Sequence, residues 1–95
     1  MAFHAYILAS RPLGTLHIAA TGDLLASVAR HRAGQGGAYT ARYRTGRLVW
    51  FEPHPSYAAA RLRAGRIARW RRTWKDQLIM DANPDWHDLT ARIPR

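Results

Sequence analysis

The chain has 95 residues, 47% of them hydrophobic, and no cysteine, which excludes a disulfide-stapled scaffold and a thiolate zinc site and leaves room for one small domain. Fifteen basic residues, fourteen of them Arg, stand against six acids for a net charge of +9, so the surface attracts polyanions, nucleic acid before anionic membrane. The N-terminal MAFHAYILAS lacks a basic leader, and no window approaches the ~20 apolar residues that span a bilayer, so a cytoplasmic protein with no membrane partner is expected.

In chain order, residues 3–9, FHAYILA, form a β-prone apolar run. A turn-like SRPLG separates it from a second strand candidate, TLHIAAT at 15–21, and the pair suggests a β-hairpin. Thr21 or Asp23 can cap the helix DLLASVARHR, where Leu24, Leu25 and Val28 lie at helical spacing. The Gly-rich AGQGGAY at 33–39 reads as loop. RLVWFE at 47–52 is the strongest strand, with Pro53 and Pro55 expected to end it and Ser56 to cap the next helix. On that helix Tyr57, Ala60, Ala64, Ile67 and Ala68 share a thin, Ala-rich stripe, and Arg63, Arg66 and Arg69 are placed opposite. A last helix runs from about Arg72 through Met80, Asn83-Pro84 stops it, and the tail to Arg95 is expected to be irregular. The order β-β-α-β-α-α predicts an α+β domain, a three-stranded, mainly antiparallel sheet flanked by helices, over residues 1–95 with its core at about 4–89.

Residues 60–75, ARLRAGRIARWRRTWK, hold seven of the fifteen basic residues and no carboxylate. A second basic group, Arg42, Arg44 and Arg47, is interleaved with Tyr43. The five histidines, at 4, 17, 31, 54 and 87, match no common ligand spacing, so no structural metal is expected.

The segments AYILAS, LHIAATGDL, LLASVARHR, TARYRTGRLVWFE and ARWRRTWKDQLIMDANPDWHDL, taken together, resemble the GIY-YIG nuclease superfamily in its small single-domain bacterial branch. The likeness spans roughly residues 4–89 and is most specific in the last segment. It implies a GIY-YIG-type fold and a family chemistry of metal-dependent DNA phosphodiester cleavage. The family site uses two tyrosines, a helical arginine, a histidine or tyrosine, and a glutamate that holds the cation. A carboxylate is the hard ligand that Mg²⁺ prefers, an arginine fork clamps phosphate, and a phenol or imidazole can take the water proton.

Carried over by position, the first tyrosine is Tyr6, the second is replaced by His17, and the glycine after it by Ala19. The arginine position is Ser27, the histidine survives as His31, and Tyr43 matches a loop tyrosine. The glutamate position is Ala64, and no register of that helix supplies an acid. Losing the cation removes a Lewis-acid contribution of several kcal/mol, a rate loss on the order of 10³ or more.

The expectation is therefore a pseudo-nuclease that binds nucleic acid, DNA in the first instance. Arg30, Arg32, Arg42, Arg44, Arg63, Arg66 and Arg69 are its candidate phosphate contacts, and Tyr6, His17, His31 and Tyr43 are remnants of the site. One alternative is an active endonuclease using His17 or His31 as base and Glu52 for Mg²⁺ or Mn²⁺. Another is a protein-interaction module whose basic helix meets an acidic partner. The sequence leaves the oligomeric state open.

Overall fold

The computed structural model describes residues 2–38, 42 and 44–94. Strand β1 is Phe3–Ala9, β2 is Leu16–Thr21 and β3 is Arg47–His54, joined in one antiparallel sheet of order β2-β1-β3. Helix α1 is Leu24–Arg32, α2 is Tyr57–Ala68, α3 is Arg72–Ala82, and a 3₁₀ turn covers Thr90–Arg92. The fold is α+β with the order β-β-α-β-α-α. No helix among the described residues is long and apolar enough to cross a membrane.

The first strand occupies the centre of the sheet, and every residue from His4 to Ala9 is buried. Strand geometry alternates its side chains between the two faces. Ala5, Ile7 and Ala9 pack with Val49, Trp50, Ala64, Ile67, Ile79 and Trp86 beneath α2 and α3. Tyr6 and Leu8 pack with Leu24, Val28, Leu48, Leu89 and Ile93, beneath α1 and the C-terminal segment. The core is thus two thin layers divided by one sheet.

Local chemistry fixes the helix starts. Asp23 caps α1 by accepting from the Ala26 amide at 3.1 Å, and Ser56 caps α2 through Ala59 at 3.1 Å. In the β1–β2 turn, Leu13 takes a φ of 58° and a side chain on Gly14 would overlap Ser10 and Arg11. Arg72 of α3 donates to the Gly14 carbonyl at 2.5 Å, tying the hairpin tip to the last helix.

Two expectations are corrected. β3 continues through Pro53 to His54, because it is an edge strand and one side of its backbone makes no ladder bonds. On α2, Ala60, Ala64 and Ile67 are buried, but Tyr57 is 47% exposed and Ala68 is also exposed. Arg63 flanks that buried stripe rather than opposing it, since at 100° per residue it lies only about 70° from the stripe's centre. It turns over the Trp50 and Trp70 rings, 5.9 and 5.5 Å from their centroids, and donates to Glu52 at 3.1 Å.

The tail is irregular apart from its 3₁₀ turn, as expected, yet it is firmly packed. A bulge in the β1–β3 register pairs Ile7 with Trp50 but Leu8 with Leu48. The carbonyls of Leu48 and Val49 then accept bonds from the C-terminal segment, Leu89 N–H at 2.8 Å and Asn83 Nδ2 at 3.1 Å. Asn83 is 3% exposed, and it also donates to the His87 carbonyl at 2.9 Å and accepts from the His87 amide at 3.0 Å. Arg47 reaches the Trp86 carbonyl at 3.0 Å, and Arg32 pairs with Asp88. Edge strand β3 is covered by these contacts.

Because Asn83→Ala would strand several buried partners, it is expected to lower the unfolding free energy in urea by about 2–4 kcal/mol. An unchanged midpoint would mean that the tail does not depend on this side chain.

Candidate functional site

Tyr6 projects from the α1 face of the central strand, and antiparallel pairing puts His17 of β2 opposite Leu8 on that same face. His31, in the last turn of α1, comes down onto them. The Tyr6 hydroxyl is 3.3 Å from His31 Nε2. The rings of His17 and His31 have centroids 4.7 Å apart, and His17 meets Tyr6 edge-on at 6.3 Å. One turn earlier on α1, Ser27 is 2% exposed, and its hydroxyl lies 2.6 Å from that of Thr21. Arg30 donates to Ser27 Oγ at 3.3 Å, bringing a guanidinium to the edge of this group.

The loop after α1 closes on this group. A side chain on Gly36 would overlap the His31 imidazole, so the glycine is required by a close approach. The sequence shows Gly36 only as one of a Gly cluster, without its neighbour. Of the two cap candidates Asp23 is the cap, while Thr21 accepts from the Asp23 amide at 3.1 Å and partners Ser27, a contact that needs the β2–α1 geometry to be seen.

The site is poor in charge. Burial pushes the Tyr6 phenol up from its ordinary value, opposed by hydrogen bonding with Ser27 and the charge of Arg30. Burial lowers both histidines, His17 further through His31 and His31 further through Arg30. The arrangement offers a neutral phenol–imidazole pair, a buried hydroxyl and one nearby guanidinium, groups of the kind that donate to a phosphate oxygen.

The other expected residues are distributed elsewhere. Ala64 is 5% exposed in the α2-side core, beside Ala5 and Ile7 and across the sheet from His17 and His31. Glu52 pairs in register with Ala5 on that same far side, where Arg63 donates to it and His54 Nε2 lies 2.8 Å away but off the hydrogen-bond direction. The alternative in which Glu52 holds a metal beside His17 or His31 therefore does not fit this geometry. Among the described residues no three His, Asp or Glu side chains converge to hold a metal ion. Tyr43 lies outside the described residues.

The arginines fall into two groups. Arg30, Arg32, Arg42 and Arg44 belong to α1 and the segment before β3, and all are exposed. Arg32 is committed internally, to Asp88, to Thr90 at 2.8 Å and to the Gly46 carbonyl at 2.8 Å. Arg66 of α2 and Arg69, which caps its C-terminus, lie on the opposite side of the sheet, and Arg61, not Arg63, completes their exposed face. No described carboxylate pairs with these three. Trp86 is core, Trp70 is half-buried, and Trp74 is 53% exposed with Arg71 stacked 4.9 Å over its ring.

Compared with protein-family models, curated proteins and solved structures, the chain matches none.

The lowered histidines, with His4 lowered by burial and by His54, set a pH dependence. Unfolded imidazoles at the ordinary 6.5 bind protons before the folded ones do, so stability declines as pH falls through and below that value. The urea midpoint is expected to drop between about pH 7 and about pH 5, and His17→Phe to flatten part of the drop. A midpoint that rises on acidification would contradict the burial of these rings.

Proposed function

We propose that the chain is a GIY-YIG-like, nucleic-acid-binding protein that holds DNA through phosphate contacts and has lost phosphodiester cleavage. The observation that carries the binding half is the outward face of α2. Arg61, Arg66 and Arg69 stand exposed there without a carboxylate among the described residues, in a chain of net charge +9. A face of that kind gains by releasing the counterions of a polyanion and carries no base-reading geometry of its own.

The loss of cleavage is supported by the composition of the Tyr6–His17–His31 group. Its positions match the resembling family's site, yet the glutamate position is alanine. Neither Glu52 nor Ala64 is on its side of the sheet. Without a bound cation a neutral imidazole has a poorly activated water to deprotonate and no Lewis acid to stabilise the leaving oxygen.

Fluorescence anisotropy with a labelled DNA duplex tests the reading. Affinity is expected to fall at least about tenfold between about 50 and about 200 mM salt, and Arg66→Ala with Arg69→Ala to reduce the log–log salt slope by about two. Salt-independent binding would overturn phosphate contact as the mechanism. Nicking of DNA that requires Mg²⁺ or Mn²⁺ and disappears in His17→Ala would overturn the loss of cleavage.

A further inference from the structure

The outward face of α2 carries a glycine that the protein's own packing does not explain. Gly65 is exposed within a twelve-residue helix, and nothing lies within 4 Å of where its Cβ would be. Glycine inside a helix loses more backbone entropy on folding than alanine does, and here no close internal contact compensates. Its neighbours are specific. Arg61 and Arg69 stand one turn before and one turn after it on the same ridge, with Arg66 beside it and Leu62, 58% exposed, on the adjoining ridge. With Tyr57 they line an open depression of about 690 Å³.

We propose that this depression is where the sugar–phosphate backbone of DNA makes its closest approach. The missing Cβ lets a ridge of phosphates seat against the helix itself. Arg61 and Arg69 then flank it about 12 Å apart along the axis, and Leu62 packs on a sugar. The inference rests on the nucleic-acid reading above and assigns its contact surface. That surface lies across the sheet from His17 and His31, so the bound DNA is held away from the remnant site. A second copy is a poorer occupant, because two-fold pairing of this face would bring the arginines of both copies together with no acid between them.

The experiment compares wild type, Gly65→Ala, Gly65→Leu and the triple variant Arg61→Ala, Arg66→Ala, Arg69→Ala against a labelled duplex, with melting curves for each. Both glycine variants are expected to melt several degrees higher, since each is the better helix former. Despite that, duplex affinity should weaken about threefold in Gly65→Ala and about tenfold or more in Gly65→Leu. Unchanged affinity in Gly65→Leu overturns the proposal, and if the triple variant has meanwhile lost binding, the nucleic-acid reading survives without it. Wild type that binds no duplex at low salt removes both. Labelled polyglutamate bound more tightly than duplex, and lost in Gly65→Leu, would give the depression to an acidic protein and overturn the proposal.

Discussion

The period-two alternation of the central strand is the constraint on which the molecule depends. FHAYILA is buried on both faces, so each of its residues is assigned to one of two layers by parity alone. Ala5, Ile7 and Ala9 accept the small-residue stripe of α2, where Ala60 and Ala64 allow the helix close to the sheet. Tyr6 and Leu8 face α1, and that parity is what delivers the phenol to His31. A slip of one residue in β1 would exchange the layers and dissolve the phenol–imidazole group with them.

The second constraint is electrostatic. A chain with fifteen basic residues and six acids has few internal partners to spend, and the structure places them selectively. Glu52 engages Arg63 at the flank of α2, Asp88 engages Arg32 beside the tail, and Asp76 engages Arg72 within α3. The first two of these pairs serve the seams between elements, and the third is internal to its helix. What remains is an α2 surface whose positive charge no carboxylate among the described residues offsets, and a histidine group kept neutral by burial. The two have different chemistries and lie on different sides of the sheet.

Much of the architecture was legible because the apolar runs are short, well punctuated and of one period each. Strands, helices, the cap at Ser56 and the element order all follow from that, with the α1 cap narrowed to Thr21 or Asp23. The gathering of Tyr6, His17, Ser27 and His31 was legible only through the likeness to a nuclease pattern, since nothing in their spacing brings them together. Other features depend on neighbours that a sequence does not show. Pro53 stays in a strand because that strand is an edge, and Arg63, which helical spacing already puts at the flank of the buried stripe, finds there the rings of Trp50 and Trp70. Leu89 and Ile93 look like a loose tail until the bulge in β3 presents carbonyls for the segment to grip. Gly36 and Gly65 look alike on paper, yet one is pressed against an imidazole and the other faces open space.

That grip has a bearing on folding. Leu89 and Ile93, which complete the roof over one face of the central strand, follow it at long sequence separation. Until they dock, Tyr6 and Leu8 have only Leu24, Val28 and Leu48 of that layer over them. That face of the domain closes only when the C-terminal segment arrives, and a chaperone that shields apolar β-structure would find its target before that step.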